Sequence, residues 1–182
     1  MASIKVDGAR SEAGFTLIDM LFVIAMIALL TTLAIPGLMR ARGAAQSASA
    51  IGSIKVVNSA QLSFAITCGL GFYAPDFQTL GVPPPASEAF LPPEMSSGPT
   101  FIKSGYNYSL AGVGLAGSPG SCNGLAPGSG AAGYAVVADP LDITPPARFL
   151  GSNSDGLIWE DSASYMATMP ESGAPPSGAP IK

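Results

Sequence analysis

Apolar residues are not spread evenly along this chain; they gather into one long run near its start. From Phe15 to Met39 the sequence reads FTLIDMLFVIAMIALLTTLAIPGLM, with Asp19 as its only charge. A run with no polar face predicts a helix that is apolar all round rather than an amphipathic one. At ~1.5 Å per residue it measures about 38 Å, enough to cross a ~30 Å hydrocarbon layer with some tilt. From Arg40 to about Ile66 the pattern loosens but stays helical. Ala44, Ala48, Ile51, Ile54, Val57, Leu62 and Ala65 form an apolar stripe there, and Ser47, Ser49, Ser53 and Gln61 are expected off it. Together the two stretches predict one helix of about fifty residues, ~75 Å long. Its many Ala, Gly and Ser residues permit close helix–helix approach.

The pattern changes after Cys68. Residues 69–100 are turn-rich, interrupted by Pro83-Pro84-Pro85 and Pro92-Pro93, with short helical turns expected at Asp76–Leu80 and Ser87–Phe90. Period-two alternation then predicts strands at Tyr106–Leu110, Tyr134–Ala138, Arg148–Leu150 and Leu157–Trp159. The last two are joined by the turn Asn153-Ser154-Asp155-Gly156. A long helix followed by strands predicts an α+β fold, with a small antiparallel sheet packed on the second half of the helix. The end, residues 170–182, is rich in Pro, Gly and Ser and reads as a flexible tail.

Composition narrows the function. Mean hydropathy is +0.40, high for a soluble protein, and the excess sits in the first helix. The net charge of −4 and the lack of a Lys/Arg cluster argue against binding to nucleic-acid phosphates. Arg40 and Arg42 read instead as the charged edge of the apolar run. There is no histidine, which removes the commonest general base and metal ligand. Gly112-x-Gly114 lacks the strand–turn–helix setting and the lysine of a phosphate loop. Asp155, Glu160 and Asp161 match no calcium-loop spacing and read as charged turn residues. No cofactor, metal site or catalytic constellation is expected. Cys68 and Cys122 are too few for a zinc site. Outside the cytoplasm they can form one disulfide, worth ~4 kcal/mol by loop closure; the alternative is two buried thiols.

The N-terminus admits three readings. An ordinary secretory signal has a basic start and an apolar stretch of ~7–15 residues followed by its cut site. Here Lys5 and Arg10 are balanced by Asp7 and Glu12, and the apolar run is too long. A plain signal anchor fits the length but leaves Asp19 unexplained, since a carboxylate in a membrane helix costs ~2.5–3.5 kcal/mol. The segment Gly14-Phe15-Thr16-Leu17-Ile18-Asp19 resembles the processing signal of type IV prepilins and type II secretion pseudopilins. The resemblance extends to about Gly37 and includes Pro36, where such proteins commonly carry a helix-bending proline.

That resemblance implies a pilin-like fold and a sequence of events. A prepilin peptidase cuts between Gly14 and Phe15 on the cytoplasmic face and methylates the new amino group of Phe15. The leader 1–14 is lost. Residues 15–39 remain as a transmembrane and filament-core helix, 40–66 continue it, and 67–169 form the globular domain. Partners are membrane lipid, an inner-membrane assembly platform, and identical or related subunits in a homopolymer. The subunit resides in a bacterial inner membrane, single-pass, with its C-terminal domain outside the cytoplasm, and then in a cell-surface or periplasmic filament. Asp19 stands where the family usually has Glu, and its charge is expected to neutralise the N-terminus of a neighbour. The resemblance implies a structural subunit of a type IV pilus-like filament; a pseudopilin of a type II secretion system is the alternative, and an unprocessed, membrane-tethered binding module is the further alternative from another class.

Overall fold

A computed structural model describes residues 14–143 and 147–181. The chain is α+β: a 51-residue helix α1 (Leu17–Thr67), two short helices α2 (Phe77–Gly81) and α3 (Pro93–Ser96), and strands β1 (Thr100–Lys103), β2 (Tyr106–Ala111), β3 (Ala135–Pro140), β4 (Phe149–Asn153), β5 (Ile158–Asp161) and β6 (Ala179–Pro180). It divides into two compact units, residues 1–41 and 42–182.

In the first unit, α1 is apolar all round and every described side chain is exposed. Its two adjacent hydroxyls stay within the helix: Thr31 donates to the Ala28 carbonyl at 2.9 Å and Thr32 to that of Leu29 at 2.8 Å. Donation to a preceding carbonyl lets a threonine sit among apolar neighbours without seeking water.

In the second unit, α1 turns a seam of buried residues towards the sheet. Ser47, Ala50, Ile54, Val57, Gln61, Phe64 and Cys68 are all buried and step along the helix by three and four residues alternately, the spacing of one helical face. This corrects the stripe expected from sequence. Ile54, Val57 and Ala65 are buried, but Ala44, Ala48 and Leu62 face outwards, while Ser47, Ser53 and Gln61 face in. The polar residues enter the core because their groups find partners. Ser47 donates to the Ala44 carbonyl at 3.0 Å. Gln61 donates to the Ala74 carbonyl at 2.8 Å and accepts from the Ala74 amide at 2.9 Å. Its side-chain amide thus pairs with a backbone residue as a strand neighbour does. One turn earlier, Asn58 donates to Ser152 Oγ at 2.8 Å and accepts from the Tyr134 hydroxyl at 3.1 Å.

The sheet is a six-stranded antiparallel meander in sequence order. On β2, Tyr106, Tyr108 and Leu110 are buried and alternate with half-buried Asn107 and Ser109, as the period-two pattern predicts. β1 was not anticipated. It pairs with β2 through Ser104 and Gly105, both at positive φ (52° and 81°), the geometry that gives a tight hairpin its matching twist. The helical turn expected at Asp76–Leu80 is α2, with Asp76 accepting from Thr79 N at 2.7 Å as its cap. Ser87–Phe90 is not helical: the amides of Phe90 and Leu91 both donate to the Leu80 carbonyl. The second short helix forms instead at Pro93, where a proline's missing N–H does no harm.

Between β2 and β3 the chain makes a long excursion, pinned by a Cys68–Cys122 disulfide of Cα separation 4.9 Å. The Cys122 amide also donates to the Cys68 carbonyl at 3.1 Å. The disulfide alternative is therefore the one present. The C-terminal segment departs from expectation in the other direction. Read as a flexible tail, it runs as a strap across β4 and ends as β6 against β5. Asn153 donates to the carbonyls of Pro170 (3.2 Å) and Gly173 (2.6 Å), Asp155 accepts from Gly173 N, and Asp161 accepts from Ser177 Oγ. Gly151 of β4 makes room for it: a Cβ there would meet Met169 Sδ and Tyr165 Cδ2, each at 3.0 Å. Tyr165 is buried beneath the strap.

Two expectations follow. Gln61→Ala leaves the Ala74 amide and carbonyl buried without partners, so it destabilises the second unit by about 2–4 kcal/mol in denaturant unfolding; an unchanged midpoint would remove Gln61 from the core account. The second concerns alkaline pH. Burial pushes the hydroxyls of Tyr106, Tyr108 and Tyr134 above their ordinary 10.0, and Arg148 beside Tyr106 and Ser53 beside Tyr108 oppose this only in part. The folded state holds these protons more tightly than the unfolded chain. Stability is thus complete below pH 10.0 and falls as pH rises towards the raised values. Tyrosinate absorbance and loss of sheet circular dichroism should rise together above that pH.

Candidate functional site

The segment singled out by sequence begins where the described chain begins. Gly14, Phe15 and Thr16 are non-helical and exposed, and α1 opens at Leu17. A Cβ at Gly14 would meet nothing within 4 Å, and Phe15 is 76% exposed. The Gly14–Phe15 peptide bond therefore lies in exposed, non-helical chain just before a helix, the setting in which a peptidase can reach a backbone. Residues 1–13 of the expected leader lie outside the described residues.

Why the helix starts at Leu17 is visible in its first turn. Thr16 Oγ1 accepts from the Asp19 amide at 3.3 Å, and the Thr16 carbonyl accepts from the same amide at 3.1 Å. Thr16 is thus the N-cap and Asp19 the third residue of the helix, a spacing in which a threonine hydroxyl covers an otherwise unpaired donor. Asp19 is the acid of that first turn. A carboxylate there opposes the partial positive charge of the helix start, by ~0.3–1 kcal/mol where exposed. The sequence carries this signal as Thr16-x-x-Asp19. Pro36 lies within α1, which is helical on both sides of it. Lacking an N–H, it leaves the Thr32 carbonyl without its usual partner one turn back.

Along the apolar run, the side chains of Leu17, Ile18, Leu21, Phe22, Ile24, Leu29, Leu30, Leu33 and Leu38 are each more than half exposed. The most apolar 18-residue window of α1 has mean hydropathy 2.5 and is unburied. By length and composition this helix can cross a membrane.

The other candidates fall into structural roles. Asp155 and Asp161 hold the strap, and Glu160 pairs with Arg148. Asp161 is held below its ordinary 3.8, chiefly by the Ser177 hydroxyl and then by the Ser162 amide. Among the described residues no three His, Cys, Asp or Glu side chains gather as a metal site. A shallow open cleft of about 350 Å³ is lined by Lys55, Val56, Ser59, Ala60, Ser63 and Phe90. Lys55 is its one ionisable group, and no nucleophile–base pair is aimed into it. Cys68 and Cys122 are consumed in the disulfide.

Comparison with protein-family models, curated proteins and solved structures returns no match. The functional reading therefore rests on the residues and their geometry.

Thr16→Ala removes the cap while leaving the apolar run intact. Amide exchange at Asp19 and Met20 in lipid or detergent should rise about fivefold, the equivalent of ~1 kcal/mol. Exchange unchanged by the substitution would show that the first turn does not depend on Thr16.

Proposed function

We propose that this chain is the precursor of a membrane-anchored filament subunit of the type IV pilin and pseudopilin class. The observation that carries the reading is the conjunction at residues 14–19. An exposed Gly14–Phe15 bond immediately precedes a helix whose first half is apolar all round, is exposed along its described length, and bears one acid in its first turn.

Cleavage before the apolar run, unlike cleavage after it, keeps the helix in the mature protein. The new amine at Phe15 is cationic, and methylation leaves that charge in place. While the helix is in lipid, Asp19 and the amine of its own chain lie at one level near the membrane surface. When helices pack side by side in a filament, the environment becomes apolar, and an unpaired carboxylate or amine there is strongly disfavoured. Staggering one subunit so that its Asp19 meets the Phe15 amine of a neighbour removes both penalties at once. Apolar burial then supplies the bulk of the association, and the charge pair sets the register. The Cys68–Cys122 disulfide supports a second unit residing on the oxidising side of the membrane.

A secretion pseudopilus uses the same device, and the disulfide's place at the end of α1, rather than around a C-terminal loop, is as compatible with that version as with a pilus. An unprocessed, tethered module is favoured by one observation: the Thr16 cap and the helix start already give Asp19 a role without a second subunit.

The intact mass and N-terminal residue of protein from its native membrane or from sheared filaments separate these readings. A chain beginning at N-methylated Phe15 is the expected result. A chain still beginning at Met1, in cells with active prepilin peptidase, would sink the filament reading in favour of the tethered module. Asp19→Ala should abolish filaments while leaving cleavage before Phe15 and its N-methylation unchanged, the mass differing only by the substitution itself.

A further inference from the structure

When the apolar run lies in a bilayer, the second unit is tied very close to that bilayer. Arg42 follows Met39 by three positions and Gln46 by seven, so chain connectivity alone keeps them within roughly 11 and 25 Å of the run's end. The polar layer of a membrane is itself ~5–8 Å deep on each side. Against this part of α1 rests the β1–β2 hairpin turn: Ser104 Oγ lies 2.8 Å from Ser49 Oγ, and Gly105 packs on the Gln46 amide. Leu141, just past β3, donates its amide to the Gly105 carbonyl at 2.9 Å.

The exposed side chains of this corner are unlike those of an ordinary turn. Ile102 is 66% exposed, Leu141 58% and Ile143 72%. Lys103 and Arg42 are exposed as well, and the ion pair Arg148–Glu160 engages neither. The acids at the same end of the sheet are engaged elsewhere: Asp139 with Ser164, Asp161 with Ser162 and Ser177, Glu160 with Arg148, while Asp142 also makes an interaction of its own. Aliphatic side chains interleaved with cations suit a bilayer interface, where the former enter the headgroup boundary and the latter meet lipid phosphates. The short tether keeps the local membrane concentration high, so weak contacts suffice for docking.

We propose that the corner formed by Arg42, Ile102, Lys103, Leu141 and Ile143 docks onto an anionic lipid surface while the subunit waits in the membrane. Docking shields this apolar corner before assembly and fixes how the second unit is presented to the next subunit. The inference rests on the reading that residues 15–39 lie in the bilayer, and its test separates the two.

The full chain carrying Trp159→Phe is reconstituted into vesicles of phosphatidylcholine, alone or mixed with phosphatidylglycerol, with brominated lipid as quencher. Single tryptophans are introduced as Leu29→Trp in the apolar run, Ile102→Trp in the corner, and Ile66→Trp at the far end of α1. Quenching is expected at 29 in both lipids, at 102 chiefly with phosphatidylglycerol, and not at 66. Lys103→Gln should reduce the docking equilibrium about fivefold, one cation's worth at an anionic surface. Quenching at 29 but not at 102 overturns docking and leaves the anchor standing. Absence of quenching at 29 overturns both. Shielding at 102 that follows protein concentration rather than lipid charge assigns the corner to a second copy and overturns the lipid proposal.

Discussion

The governing constraint on this protein is the first half of α1, which is apolar and exposed along its described length. Sixteen large apolar side chains between Phe15 and Met39 are exposed. Covering each contributes ~1.5–3 kcal/mol, so together they represent tens of kcal/mol. A whole domain is stable by only ~5–15 kcal/mol. No rearrangement of the second unit could offset leaving that surface in water. Lipid or other helices must cover it, and every functional reading of the chain starts from which of them does so and when.

The second half of α1 solves a different problem with the same backbone. Its buried seam has to carry a sheet while supplying few large apolar residues, since Ser47, Ala50, Ser53 and Ala60 are small. Specificity comes from two amides. Gln61 fixes the backbone at Ala74, and Asn58 fixes Ser152 and Tyr134. The disulfide ties the end of the helix to the long β2–β3 excursion, which has little regular structure to hold it otherwise. Buried polar groups of this kind are costly when half satisfied and specifying when complete.

What was legible in the sequence follows from how local each signal is. The apolar run, the Asp76 cap, the Asp155-Gly156 turn and the alternation Tyr106–Tyr108–Leu110 each act within a few residues, and each was visible in advance. The phase of the α1 seam was not, because Gln61 reads as a surface residue until Ala74 is known to lie opposite it. The strap at 170–181 was missed for the same reason. Its Pro, Gly and Ser residues carry no hydrophobic pattern, and its partners Asn153, Asp155 and Asp161 lie ten or more residues away. β1 was hidden by brevity, with Phe101 its one buried side chain. At the candidate site the residues themselves were legible, but the capping relation between Thr16 and Asp19 was not drawn. One motif there carries two meanings, a helix start and an assembly charge, and the first does not exclude the second.

Orientation in the membrane shows how these features depend on one another. Positive residues usually mark the cytoplasmic flank of a span. Here Lys5 and Arg10 precede the apolar run and Arg40 and Arg42 follow it, so flanking charge is balanced and favours neither direction. Loss of the leader would remove Lys5 and Arg10 and leave only the amine at Phe15 against Arg40 and Arg42, which tips that balance the wrong way. On the proposed reading, then, direction has to be settled before cleavage and kept afterwards by something other than charge. The second unit provides that: once folded around its disulfide on the oxidising side, it presents a polar body of well over a hundred residues that cannot return through the bilayer. On that reading the disulfide acts as a topological lock as well as a brace, and folding of the second unit precedes, or at latest accompanies, removal of the leader.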